Sequence, residues 1–511
     1  MSAKQAPAER SCPGEEYAIS LAICRTRQRN QYPKCLLCPH REAEVAGSVP
    51  TDPKVPSSIF RRTAVLGGVP QDINDYVIRK VGLAAAQFLR SENPSRSRLA
   101  VACDARENSR SFTRAFSEGV NRGGMDVVNL GTAPPEMLAF LLGTDGFAGG
   151  AFVGGGNYSD KVNGVRIWRA DGRLVGFGSG LDKVGLIARR MRLGCSRLPG
   201  EMTGRDPLSD YVSYLLKFAP DIRPLKLLID AGNGTAGRVV RKLFADLPAE
   251  IVPLRFEEDG HSPLLGKRFP SDALVASVRD RARRVGADLG AAFDFAAERI
   301  VFFDERGDLL RHDVAAGLLA TEMLGRNPGG RVTFDVRSTA MLRARIAEAG
   351  GEPVSAPTTR LEFAQHFRRN DALYGADNSG LHYFRDFFRF PSPVLALLIM
   401  CSHQSGDGRS LSELAGELDR LARSGEVSIA LPSAEMAQPV LTHVRDEFQH
   451  ADRELIDGLT VRTGDWWFNL RQPRKAAELR LSVEGKSSRD VRRGRQTVER
   501  LVQRALSKRS S

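Results

Sequence analysis

A chain of 511 residues is longer than one hydrophobic core organises, so several domains are expected. With 42% apolar and 26% charged residues it is neither collagen-like, coiled-coil nor wholly disordered. No run reaches the roughly 18 uncharged apolar residues that a membrane-spanning helix needs, so no membrane span is expected, and the net charge of +13 suits anionic partners.

The N-terminus carries charges where a signal peptide has its apolar segment, which points to a reducing cytoplasm. Four of the seven cysteines, Cys12, Cys24, Cys35 and Cys38, fall within the first 38 residues. A Cys35-Leu-Leu-Cys38 knuckle with two upstream thiols is what tetrahedral zinc asks of a short segment, so residues 1–41 read as a small zinc module. An iron–sulfur cluster uses the same four thiolates, and a disordered leader with adventitious thiols also stays open. Residues 42–58, ending in EVAGSVPTDPKVPSS, read as a linker.

Beyond the linker, β-rich runs alternate with helical patterns. RLAVACD, MDVVNLG, GAFVGGG and LKLLIDAGNG are followed by ADLGAAFD, RIVFFDERG and GGRVTFDV, with TAGRVVRKLFADL and STAMLRARIAEAGG as helices between them. Repeated strand, turn and helix signal α/β domains with mixed or parallel sheets. VSIALPS, GLTVRTGDWWFNLR and AELRLSVEG instead read as antiparallel strands followed by helices. α/β domains followed by a terminal α+β domain are therefore expected. From Arg471 onward, thirteen Lys and Arg face four Asp and Glu. This basic tail reads as a solvated Arg-rich helix or as a contact for nucleic acid, an acidic membrane or a phosphorylated ligand.

The segments IFRRTAVLGGVPQDIND, VACDARENS, NGVRIW, LIDAGNGTAG, ADLGAAFDFAAERIVFFDERGDLL, YGADNSGLHYFRDF and DWWFNLRQPRKAAELRLSVEG occur in that order. Together they resemble the α-D-phosphohexomutases, the phosphomannomutase/phosphoglucomutase family. The resemblance runs from about Ile59 to about Leu501 and leaves the Cys-rich leader outside. It implies four domains around a central cleft, three α/β domains (59–210, 211–310, 311–425) and a C-terminal α+β domain (426–511). It also implies phosphoryl transfer between the 1- and 6-positions of a hexose through a phosphoserine.

Each family loop has a counterpart here, and each departs from the pattern. The family nucleophile loop T-A-S-H-N-P places its serine on Gly156, which has no atom to carry a phosphoryl group; Ser159 is a remote substitute. The family lysine aligns with Arg166, a poor acid or base near neutrality. The Mg²⁺ loop D-G-D-x-D-R becomes Asp294-Phe295-Ala296-Ala297-Glu298-Arg299, leaving Asp294 and Glu298 as residual Mg²⁺ ligands or as polar turn residues paired with Arg299. The sugar loop G-E-x-S-G-H keeps an acid, Asp377, and its serine, Ser379, or else forms a plain polar turn. The phosphate loop R-P-S-N-T-E-P becomes Arg471-Gln472-Pro473-Arg474-Lys475-Ala476-Ala477, which loses every hydroxyl but adds charge. Leu66 and Cys103 stand where the family has arginines, whereas Asp104, Arg106, Asp230, Gly232, Asn233 and Gly234 persist.

With no catalytic residue intact, the expected substrate-binding set is Arg166, Arg360, Asp377, Ser379, Arg471, Arg474 and Lys475. The reading is a catalytically silent member of the fold, a pseudoenzyme that binds a sugar phosphate or a protein partner. Two alternatives are kept. One is a working phosphomannomutase/phosphoglucomutase, an isomerase of carbohydrate metabolism. The other is a docking protein that uses the cysteine module and basic tail to hold nucleic acid or protein.

Overall fold

The computed structural model describes residues 9–12, 17–29, 35, 38, 54–191, 193, 199–218, 222–263, 265–266, 268–474 and 476–507. It divides into two units, Met1–Val55 and Pro56–Ser511. In the first unit, strands Glu9–Ser11 and Ala18–Ser20 pair antiparallel ahead of helix Leu21–Arg29. Cys12, Ile19 and Cys24 share a small apolar cluster, and Cys35 is buried. Lys475 lies outside the described residues.

The second unit contains four sheets. The first α/β domain has a six-stranded sheet in the order Val65–Gly68, Val162–Arg169, Gly149–Val153, Arg98–Cys103, Asp126–Thr132, Met202–Gly204. Its first two pairings are antiparallel and the rest parallel. The second domain orders Ala249–Leu254, Leu225–Asp230, Leu289–Phe293, Ile300–Phe303, and the third orders Glu352–Ala356, Arg331–Asp335, Tyr374–Ala376, His382–Phe384, Phe390–Pro391. Both are parallel at one side and antiparallel at the other. The last sheet, Ala422–Ala430, Glu478–Gly485, Trp466–Arg471, Leu459–Arg462, Asp452–Glu454, is antiparallel throughout. The architecture is thus three mixed-sheet α/β domains and a C-terminal α+β domain. The expected boundary at 210/211 cuts helix Leu208–Leu216, and that at 425/426 cuts strand Ala422–Ala430.

Local chemistry sets these elements. Asn74 caps helix Asp75–Glu92 by accepting from Val77 N at 3.1 Å, and Ser410 with Glu413 forms a capping box on helix Leu411–Leu418. Helices Asp75–Glu92 and Ser109–Arg122 approach so closely that a Cβ at Gly82 would lie 2.1 Å from Phe116 O. The apolar stretch from Pro393 forms helix Pro393–Asp407, buried against the neighbouring domains. No described helix is long and apolar enough to cross a membrane. The basic tail is helix Ser488–Ser507, whose Val491, Val498, Leu501 and Val502 join the core of the last domain. Arg493 and Arg495 on it pair with Asp465 and Glu499.

One geometric feature recurs in all four domains. Each sheet has an antiparallel strand pair joined by a tight reversal: 154–161, 294–299, 377–381 and 472–477. These reversals are the four segments that the sequence singles out as loops of one site.

Candidate functional site

The reversals converge. A cleft of about 1170 Å³ is lined by Gly154 to Ser159 and Arg166, by Glu298 and Arg299, by Arg360 and Ser379, and by Arg474, one group from each domain. Seven arginines line it against two carboxylates, Asp72 and Glu298, so its field favours anions.

The first reversal is braced from beneath. Buried Asp104 accepts from Gly155 N at 3.1 Å and from Ser109 Oγ at 2.5 Å, and it pairs with Arg106. The Arg106 guanidinium donates to Gly156 O at 2.9 Å and Tyr158 O at 2.6 Å, and lies over the Phe295 ring at 5.0 Å. A Cβ on Gly155 would lie 2.3 Å from Val162 O, so the turn closes only on glycine there. Gly156 differs. Its φ is +58°, yet the nearest atom to an added Cβ is Arg166 Nη2 at 3.6 Å, so space exists and the obstacle is backbone strain. Ser159 lines the cleft opposite Gly266, whose N donates to Asn157 O at 3.1 Å. Leu66 also lines the cleft, while Cys103 is buried in its strand, where burial pushes the thiol up to about 11.

The second reversal rests on the LIDAGNG turn, with Thr235 Oγ1 donating to Ala296 O at 3.0 Å. Its two carboxylates are fully engaged. Asp294 Oδ1 accepts from the backbone N of Glu298 at 2.7 Å and of Arg299 at 3.2 Å, and Oδ2 pairs with Arg299 Nη1 at 3.1 Å. Glu298, 4% exposed, pairs with Arg166 through one oxygen and with Arg360 at 2.8 Å through the other. Burial would raise its pKa, but the two guanidiniums prevail and hold it well below the ordinary carboxylate range. Mg²⁺ wants free, closely spaced carboxylate oxygens. Here one family ligand position is Ala296, and the remaining oxygens face backbone N–H groups and three arginines. These residues do not fit Mg²⁺, and the residual-Mg reading of Asp294 and Glu298 gives way to the turn-and-ion-pair reading.

In the third reversal the retained acid faces inward. Asp377 Oδ1 accepts from Ser379 N at 2.9 Å, Ser379 Oγ at 2.7 Å and Leu381 N at 3.1 Å, so the carboxylate holds its own turn and does not line the cleft. Ser379 does reach the cleft, where Arg299 Nε donates to its hydroxyl at 3.4 Å. In the fourth reversal, Arg471 is buried and paired with Glu426, outside the cleft lining. Arg474, with φ +46°, projects into the cleft.

Of the expected substrate residues, Arg166, Arg360, Ser379 and Arg474 therefore share one cleft, whereas Asp377 and Arg471 serve the frame. Arg61 and Arg268, which sequence reasoning passed over, also line it. Among the described residues, Arg61, Arg268 and Arg474 have no carboxylate within ion-pair distance, and they supply unneutralised positive charge at the cleft. Their segments, FRRT and KRFPS, carry no periodicity or spacing that distinguishes them from surface loops.

The N-terminal thiols are free. Among the described residues no group of three or more His, Cys, Asp or Glu is arranged to hold a metal, while burial first, and then the thiols of Cys12, Cys24 and Cys38, raise the pKa of Cys35. Cys24 Sγ instead accepts from Gln28 Nε2 at 3.1 Å.

Comparison with known proteins agrees with the four-reversal architecture. Family models for the phosphoglucomutase/phosphomannomutase α/β/α domains I, II and III match residues 58–176, 209–307 and 311–421. A protein of Xanthomonas campestris pv. campestris strain B100 named phosphohexose mutases is 30% identical over 439 residues, spanning 83% of this chain and 94% of that protein. A phosphomannomutase of Salmonella montevideo is 30% identical over 449 residues, spanning 84% and 94%. Among solved structures, a phosphoglucomutase/phosphomannomutase family protein from Burkholderia thailandensis superposes with a TM-score of 0.78 at 24% identity, covering 88% of this chain and 98% of that one. Parafusin from Paramecium gives 0.68 at 13%, covering 88% and 95%. With the three domain models matched in order and relatives 30% identical over most of their length, the chain belongs to the phosphoglucomutase/phosphomannomutase family of the α-D-phosphohexomutase superfamily.

Proposed function

We propose that this protein binds a sugar phosphate or a related anionic polyol in its central cleft without transferring the phosphoryl group. The observation that carries this reading is Gly156. The residue at the nucleophile position has no side chain and sits at φ +58°, facing an arginine where the family has a lysine. A phosphoryl relay needs an atom that takes the group and an acid or base that moves the proton, and this position supplies neither. What the cleft retains is recognition: Arg61, Arg268 and Arg474 for phosphate oxygens and the Ser379 hydroxyl for a sugar hydroxyl.

The test pairs binding with turnover. In calorimetry, glucose 1-phosphate or mannose 1-phosphate binds the full chain, and the double variant R61A/R474A weakens binding about tenfold. In a coupled assay with Mg²⁺ and a bisphosphate activator, the same protein stays at background. Turnover well above background would overturn the silent reading in favour of a working mutase, as the names of the related proteins suggest; Ser159, in the cleft, would then be the first carrier to examine.

A further inference from the structure

A second cavity, of about 480 Å³, opens between the first and third α/β domains. Six arginines line it (Arg169, Arg173, Arg360, Arg368, Arg369 and Arg389) against one lining carboxylate, Glu92. Four of the six are neutralised: Arg169 by Glu92 at 2.7 Å, Arg173 by Asp171 at 2.6 Å, Arg389 by Asp371 at 2.6 Å and Arg360 by Glu298 at 2.8 Å. Two are left over. Arg369 is exposed at the end of helix Arg360–Arg369. Arg368 is partly buried and donates only to the carbonyl oxygens of Phe388 and Arg389, both at 3.3 Å. Neither has a carboxylate within ion-pair distance among the described residues.

The backbone around Arg368 is itself unusual. Phe388 and Arg389 are consecutive non-glycine residues at φ +55°, a conformation that persists only where the surroundings over-determine it. The Phe388 ring, stacked on Tyr214 at 5.3 Å, anchors the segment. The result turns two carbonyls onto Arg368 and brings Arg389 to the same wall. A neighbouring cavity of about 420 Å³ shares Arg368, Arg389, Gly172 and Phe390 with the first. Ser179 and Gln365 add polar groups, and the rest of the wall is mainly apolar and partly aromatic, with Trp168, Leu361, Tyr383 and Phe390. Burial of a charge without a paired counter-charge is costly unless a ligand supplies one.

We propose that this cavity is a second ligand site, separate from the central cleft, which takes an organic phosphate. Its phosphoryl group pairs with Arg368 and Arg369, and a flat apolar body lies on the Trp168 and Phe390 wall. Helix Arg360–Arg369 joins the two sites, since Arg360 at its start also lines the central cleft. The proposal does not depend on what the cleft binds.

The experiment titrates the full chain by calorimetry with phenyl phosphate and with inorganic phosphate. In the R61A/R474A background, where the central cleft has lost two of its free arginines, phenyl phosphate still saturates one site and binds at least about fivefold more tightly than inorganic phosphate, because only it reaches the apolar wall. In that background R368A and R369E each weaken the remaining site about tenfold. R369E replaces an exposed residue and carries the test if R368A does not fold. Two results overturn the proposal: no saturable binding up to about tens of millimolar, or binding lost in R61A/R474A and intact in R369E.

Discussion

The reversals at 154–161 and 377–381 hold equivalent places in the first and third domains, and they have left the family pattern in opposite ways. In the first, the reacting side chain is gone, and what remains is a backbone braced by Asp104 and Arg106. In the third, the acid and the serine are still present, but Asp377, one methylene shorter than the family glutamate, folds back onto three donors of its own turn. A residue kept in sequence is thus not a role kept in space. The donors of Ser379 and Leu381 hold this carboxylate on its own backbone.

Substitutions can break or sharpen that contrast, and the largest effect is expected beside the first reversal. Glu298→Ala strands Arg166 and Arg360, both mostly buried, and is expected to cost about 3–5 kcal/mol in urea unfolding. A loss under about 1 kcal/mol would mean that the two guanidiniums find water instead.

A pH experiment comes next and probes the contact between the same two domains. Glu136 in the first domain is buried, with the Ser392 hydroxyl of the third domain on one oxygen and Tyr211 and the Val394 backbone close by. Burial, only partly offset by Ser392 and Tyr211, pushes its pKa up to about 8. The unfolded chain therefore ionises this group near 4.5, while the folded one holds its proton. Stability from this residue is full below about pH 4.5 and declines as pH rises toward about 8, by roughly 3–5 kcal/mol at most. Glu136→Gln is expected to flatten that part of the profile; an unchanged slope would remove Glu136 as its source.

Two smaller effects bear on the contrast directly. Asp377→Ala releases three hydrogen bonds and is expected to cost about 1–3 kcal/mol, whereas Asp377→Glu, which restores the family length, should tighten glucose 1-phosphate binding. If Asp377→Glu binds no more tightly than the parent, chain length is not what separates the two roles. Gly156→Ser is expected to cost about 1–2 kcal/mol through its left-handed φ and to leave turnover at background, because Arg166 stays beside it. Recovered turnover would show that the missing hydroxyl was the sole deficit.

The fold was legible because strand-turn-helix patterning and seven ordered segments depend on residue type, which a sequence displays. The positions of the four loops followed, since each lies between two strands that read clearly, such as GAFVGGG before NGVRIW. The inward turn of Asp377 was not legible, because it depends on rotamer and on the donors of Ser379 and Leu381. Nor was the engagement of Arg471 by Glu426, which lie 45 residues apart in sequence and meet only through antiparallel pairing of the last sheet. Arg61 and Arg268 reach the cleft from loops without pattern, and only the folded chain reveals them.

The Glu298 cluster has a mechanical side as well. One carboxylate on the second domain holds a guanidinium from the first and another from the third. None of the three can swing away without leaving an unbalanced charge in the mostly buried cluster at the cleft wall. The hinge freedom that separate domains would ordinarily have is therefore curtailed at its pivot, and the three should melt as one cooperative block, in a single calorimetric transition that Glu298→Ala splits.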